Sequence, residues 1–114
     1  MGRIPHTKRT CDGITFDSTV EYQRYLELKL LQHAGEIHDL ECHPSFELQP
    51  PFKVYGKAER AIRYTADFQY IERDRVVVEE VKSAHTRTDR AYSIRRRLFI
   101  YKYRGNIEFR EVVR

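Results

Sequence analysis

The sequence predicts an α/β fold of the mixed α+β kind, in the order αβββαβ, with a mixed central sheet flanked by helices. Three observations carry this expectation. Ser18 precedes a stretch of apolar residues at helical spacing that Gly35 closes. Two runs rich in β-branched and aromatic residues, about 62–72 and 75–82, flank the polar turn Glu72-Arg73-Asp74-Arg75. A second helical stretch, about 88–103, leads through Gly105-Asn106 into the alternating run 107–113.

The elements follow in chain order. Residues 1–11 are basic and expected to form a poorly ordered arm before a single domain over 12–114. Asp12-Gly13 marks a turn into a short extended piece at Ile14-Thr15-Phe16. The first helix places Val20, Tyr22, Tyr25, Leu26, Leu28, Leu30 and Leu31 as its apolar positions. Strands are expected over 37–42 and 45–49, interrupted at Pro44. A loop or flap over 50–60 carries Lys53, Lys57 and Arg60, with Gly56 at its tip. The second helix is expected to bury a stripe of Ala91, Ile94, Leu98 and Tyr101.

At 114 residues the chain is one domain, and 40% hydrophobic residues with 12% aromatics suffice for a core. No apolar run reaches the ~20 residues of a membrane span, and no signal-peptide core opens the chain. Cys11 and Cys42 are too few for a disulfide scaffold and read as thiols in a reducing compartment, so a cytoplasmic protein is expected. The net charge of +4 is unevenly spread: Arg87, Arg90, Arg95, Arg96, Arg97, Lys102 and Arg104 face one acid, Asp89, across a single segment. A basic stripe of this kind gains phosphate contacts by counterion release, although a merely solvated helix face has the same composition.

The hairpin concentrates the chemistry. Centred between Arg73 and Asp74, it sets Asp67 opposite Glu80, with Cβ atoms about 4.5–5.5 Å apart. Lys82, two residues beyond Glu80, points to the same face, whereas Glu79 points to the other. Paired like charges destabilise a sheet unless a cation lies between them, so the pair calls for a metal. Hard carboxylate oxygens suit Mg²⁺ or Mn²⁺. A surface salt-bridge cluster is the competing reading, but acids set in Val-rich central strands are poor surface residues. Glu21 admits two roles: in Ser18-Thr19-Val20-Glu21 it completes a capping box, or it joins the acids. Gln69 projects from the Asp67 face and is a further candidate. Tyr92, Arg95, Arg96 and Lys102 on the second helix, with Arg87 and Arg90 before it, are candidates for phosphate contacts. His38, Cys42 and His43 do not make a zinc site, because a strand splays them onto different faces.

Phe16-Asp17-Ser18-x-x-Glu21, Tyr64-x-Ala66-Asp67-Phe68 and Glu79-Glu80-Val81-Lys82, in this order of elements, resemble the PD-(D/E)XK nuclease superfamily. More narrowly they look like a small phage-encoded family similar to Holliday-junction resolvases. The resemblance spans nearly the whole chain from Asp12 to Val112, and departs only in having Ala66 where the name has Pro. It implies a restriction-endonuclease-like core and divalent-metal-dependent phosphodiester hydrolysis. It also implies Asp67, Glu80 and Glu21 as metal ligands and Lys82 serving the attacking water or the phosphate. The expected function is therefore a DNA endonuclease selective for branched DNA in phage recombination or packaging, as a two-fold homodimer. The alternatives are a nicking or flap nuclease subunit of a larger phage replication or packaging complex, and a DNA-binding module without catalysis.

Overall fold

The computed structural model describes residues 9–11, 13–16, 18–83 and 89–114. Strands β1 (Arg9–Cys11) and β2 (Ile14–Phe16) pair antiparallel, and Gly13 turns between them at φ 79°. The last residues of the expected arm are thus a strand, held by backbone pairing to Ile14, Thr15 and Phe16; the rest of that arm lies outside the described residues.

Helix α1 (Thr19–His33) starts at Ser18, whose side chain accepts the Glu21 N–H at 3.2 Å. It ends as Gly35 N–H bonds Gln32 O and Glu36 N–H bonds Leu31 O, with Gly35 at φ 84°. That crossed pair satisfies the terminal carbonyls and requires a left-handed residue, which Gly supplies. The helix buries Glu21, Tyr25 and Leu28 at i, i+4, i+7, while Leu26 and Leu30 face water. Seven apolar positions exceed what one stripe can cover, so those off the stripe stay exposed.

Strands β3 (His38–Cys42), β4 (Ser45–Gln49), β5 (Phe52–Val54) and β6 (Lys57–Glu59) follow. The expected flap is therefore a hairpin, β5–β6, with Tyr55-Gly56 at its tip. The next run is two strands rather than one: β7 (Ile62–Thr65) and β8 (Phe68–Glu72). β7 pairs with β4, whereas β8 pairs with β3 and with β9 (Arg75–Lys82). The β8–β9 turn holds Arg73 and Asp74 at φ 50° and 63°, the tight hairpin geometry whose twist matches that of the strands. Its register places Phe68 against Glu79 and Tyr70 against Val77, as the centred hairpin requires.

Helix α2 (Arg90–Tyr103) carries the chain over to β10 (Ile107–Val113), which joins β9 in parallel. The main sheet is mixed, in the order β10-β9-β8-β3. Among the described residues the fold is thus a mixed α+β arrangement with a helix on each face of this sheet. On the α1 side Phe16, Tyr25, Leu28, Ile37, Phe68, Tyr70 and Val77 form one core. On the α2 side Tyr64, Ala66, Val78 and Phe99 form another, flanked by Phe46, Tyr92, Tyr103 and Phe109.

The buried stripe of α2 differs from the expected one. Ile94, Leu98 and Tyr101 are exposed, and Phe99 is the fully buried residue, with Tyr92, Ile100 and Tyr103 beside it. The helix offers two apolar stripes, and the aromatic one removes more area from water. It meets Phe46 at 4.6 Å and Tyr64 at 4.8 Å between ring centroids through Phe99.

Candidate active site

The site forms where β7 hands the chain to β8. At Ala66-Asp67 the strand leaves its partner β4 and enters the main sheet. Ala66 N–H bonds Pro44 O, Asp67 N–H bonds Glu79 O and His43 N–H bonds Asp67 O. The gap in the ladder leaves Val81 N–H to Asp67 Oδ2, at 2.7 Å. A carboxylate takes the place of a strand carbonyl here, which fixes its orientation.

Glu21 reaches the same point from the first turn of α1. Ser18 caps its amide, but its carboxylate turns to His43, with Oε2 2.5 Å from Nε2. Of the two roles open for Glu21, the helix cap thus uses the backbone while the side chain serves the cluster. Single ligand atoms of Glu21, His43 and Asp67 lie within 4.8 Å of one another. His43 is held there at φ 56°, just before Pro44, where the backbone swings out of β3. In the sequence His43 stands with His38 and Cys42, and nothing local points to its place beside Glu21. The other two go elsewhere: His38 pairs with Asp39 at the surface, and Cys42 packs against the α1-side core.

Glu80, expected as the direct partner of Asp67, stands on β9 outside this trio of ligand atoms, and acts on Asp67 through its charge. Its Oε1 accepts the Tyr64 hydroxyl at 2.7 Å. Burial, then the charges of Glu80 and Glu21, push the Asp67 carboxyl up to about 8. Glu80 is raised as well, first by burial; the Tyr64 hydrogen bond and the Lys82 charge oppose this. The acids are therefore under-compensated by the cations around them.

Lys82 lies over the Tyr92 ring at 4.2 Å and 3.9 Å from Glu111 Oε2. Glu111 is the neighbour of Glu80 across the parallel β9–β10 pair, and Arg96 Nε lies 3.5 Å from it. It is a further acid that the sequence reading missed; the 107–113 alternation did place it on the face of Ile107 and Phe109. Tyr92 and Arg96 share the helix face expected of them, and Tyr92 OH lies 3.4 Å from Glu111. Arg90 and Arg95 are exposed on α2, and Lys102 donates to Glu47 O. Gln69 does not join the acids; it lines a depression with Leu40, Glu41 and Ile71. Arg87, like Asp17 and His85, lies outside the described residues.

Glu79 faces away, as strand alternation requires. It is fully buried, takes Arg24 Nε at 2.9 Å and Nη2 at 2.6 Å, and accepts the Tyr70 hydroxyl. This ion pair ties α1 to the sheet and so sets where Glu21 arrives.

The family model described as a protein of unknown function, DUF1064, matches residues 3–114, and the chain belongs to that family. No curated protein and no solved structure matches it. No helix among the described residues is long and apolar enough to cross a membrane.

Proposed function

We propose that this member of the DUF1064 family is a divalent-metal-dependent DNA endonuclease with a restriction-endonuclease-like core. The observation that carries the reading is the grouping of Glu21, His43 and Asp67 ligand atoms within 4.8 Å of one another at one end of the sheet, with the charge of Glu80 acting on Asp67 and Lys82 on the same strand face as Glu80. Asp67, Glu80 and Glu21 would hold Mg²⁺ or Mn²⁺, and the donor set suits such an ion. Its oxygens are hard, and burying them together raises Asp67 and Glu80, a cost that a cation removes. His43 orients Glu21 and adds an imidazole, which keeps Mn²⁺ as acceptable as Mg²⁺. A bound ion would acidify the attacking water and offset charge on the phosphate.

The chain's own residues do the rest. Lys82, directed by Glu111 and the Tyr92 ring, places a compact positive charge beside the scissile phosphate. Tyr64 keeps Glu80 oriented and ionisable. Arg90, Arg95 and Arg96 on α2, with Lys102 at its end, supply backbone phosphate contacts without reading bases. The reaction is in-line attack of water on a phosphodiester. Contacts to backbone phosphates rather than to base edges select by the shape of the DNA, which favours branched substrates.

The test is incubation of wild type and Asp67→Ala with a labelled four-way junction and a matched linear duplex, each with Mg²⁺, Mn²⁺ or EDTA. Metal-dependent cleavage of the junction that the variant loses is the expected result. Binding without cleavage under either metal would overturn the reading in favour of a DNA-binding module.

A further inference from the structure

The β5–β6 hairpin stands out from the rest of the molecule. Every residue from Pro50 to Ala58 is exposed, and the two strands pair with each other through Phe52–Glu59, Lys53–Ala58 and Val54–Lys57. A turn that only reversed the chain would use Asn-Gly or Gly-Gly, because both central residues need positive φ. Here the first position is Tyr55, at φ 52° and 101% exposed, followed by Gly56 at φ 73°. A bulky residue in that backbone region is an outlier, and its ring covers nothing in the fold. Phe52, on the strand below it, is also 45% exposed. Lys53 and Lys57 lie on the two strands of the hairpin and Arg60 just beyond it, against the single acid Glu59.

An aromatic tip inside a basic ribbon is complementary to nucleic acid. Bases offer a π-face to a ring whatever their identity, and a two-stranded ribbon fits a groove. We propose that this hairpin is a nucleic-acid prong, in which Tyr55 stacks on an unpaired or junction base while Lys53, Lys57 and Arg60 hold the flanking phosphates. The proposal rests on the nuclease reading and supplies the element that recognises a branch. It also sets a distance. Ser45 pairs with Thr65 beside the acids, and Tyr55 is the tenth residue after Ser45. At about 3.3 Å per residue the prong reaches no more than about 33 Å, close to one turn of duplex. Incision then falls within about ten base pairs of the base that Tyr55 touches.

The experiment uses the full chain, with wild type, Tyr55→Ala and Tyr55→Phe compared in EDTA so that binding is read without cleavage. The probes are a four-way junction with a fluorescent base analogue at the branch, and the same sequence as intact duplex. Wild type is expected to quench the analogue and to prefer the junction. Tyr55→Ala loses the quench and weakens junction binding about 5- to 150-fold while duplex binding holds. Tyr55→Phe behaves as wild type. Equal junction binding by wild type and Tyr55→Ala, or equal losses on junction and duplex, would overturn the prong. So would no binding to either DNA. Cleavage measured in parallel separates the two ideas. Metal-dependent cutting with unchanged branch preference in Tyr55→Ala removes the prong and keeps the nuclease. Quenching and junction preference without cutting under either metal keeps the prong and removes the nuclease.

Discussion

Glu79 and Glu80 are neighbours on one strand, yet they live in opposite electrostatic worlds. Glu79 is buried against a forked guanidinium and a phenol, so its negative charge is matched where it stands. Glu80 feels the charges of Glu21 and Glu111 and presses in turn on Asp67, and burial raises its pKa despite Tyr64 and Lys82. The difference teaches that burial of a carboxylate does not define its role. A closed pair holds the fold together; an open crowd of acids is balanced only by something the protein does not itself contain.

The largest effect expected from breaking this contrast is catalytic. Asp67→Ala or Glu80→Ala should reduce metal-dependent cleavage about a thousandfold or more, since the loss removes several kcal/mol of charge stabilisation. In the metal-free fold each change relieves like-charge crowding but also leaves a donor unpaired, the Val81 N–H in Asp67→Ala and the Tyr64 hydroxyl in Glu80→Ala, so each should cost no more than about 1–3 kcal/mol in urea. The reverse pattern belongs to Glu79. Glu79→Ala leaves the half-buried Arg24 with only the more exposed Glu27 as partner and strips the Tyr70 hydroxyl of its acceptor, and should cost about 3 kcal/mol of stability by chemical denaturation. A loss under about 1 kcal/mol there would mean that α1 is held by its apolar face alone.

The open side also has its own pH response. Asp67, near 8 in the folded protein against 3.8 as its ordinary value, binds more protons folded than unfolded between those limits. Its contribution is therefore complete at low pH and is lost as pH rises through about 8. Metal-free thermal stability should fall from about pH 5 to about pH 8, by at most about 1.4 kcal/mol per pH unit from this group. Asp67→Asn should flatten the profile, and saturating Mn²⁺ should abolish the fall, since the ion holds the carboxylates ionised. A metal-free curve that rises over this range would contradict the crowding. The smallest effect is Tyr64→Phe, which removes the hydrogen bond to Glu80 and should cost about 0.5–1.5 kcal/mol. That loss should come with weaker metal binding at neutral pH.

Much of this contrast was legible in the sequence because strand alternation is a local rule. The hairpin centre at Arg73-Asp74 placed Glu79 and Glu80 on opposite faces, and the observed register agrees. Helix ends at Ser18 and Gly35 were readable for the same reason: caps depend on adjacent residues. What escaped depends on the rest of the chain. His43 reaches Glu21 only because the strand breaks at Ala66-Asp67, where the exchange of partners is a tertiary event. Glu111 becomes a neighbour of Glu80 through parallel pairing across a helix, which no short pattern encodes. The inward stripe of α2 was misassigned because two apolar stripes compete, and the aromatic partners that decide between them lie on β4, β7 and β10.

Calorimetric titration of Mn²⁺ into wild type, Asp67→Ala and Glu79→Gln at pH 8 tests the central claim most directly. The account predicts binding by wild type, loss of that binding in Asp67→Ala, and retention in folded Glu79→Gln. No binding by wild type, or equal binding by wild type and Asp67→Ala, would contradict it.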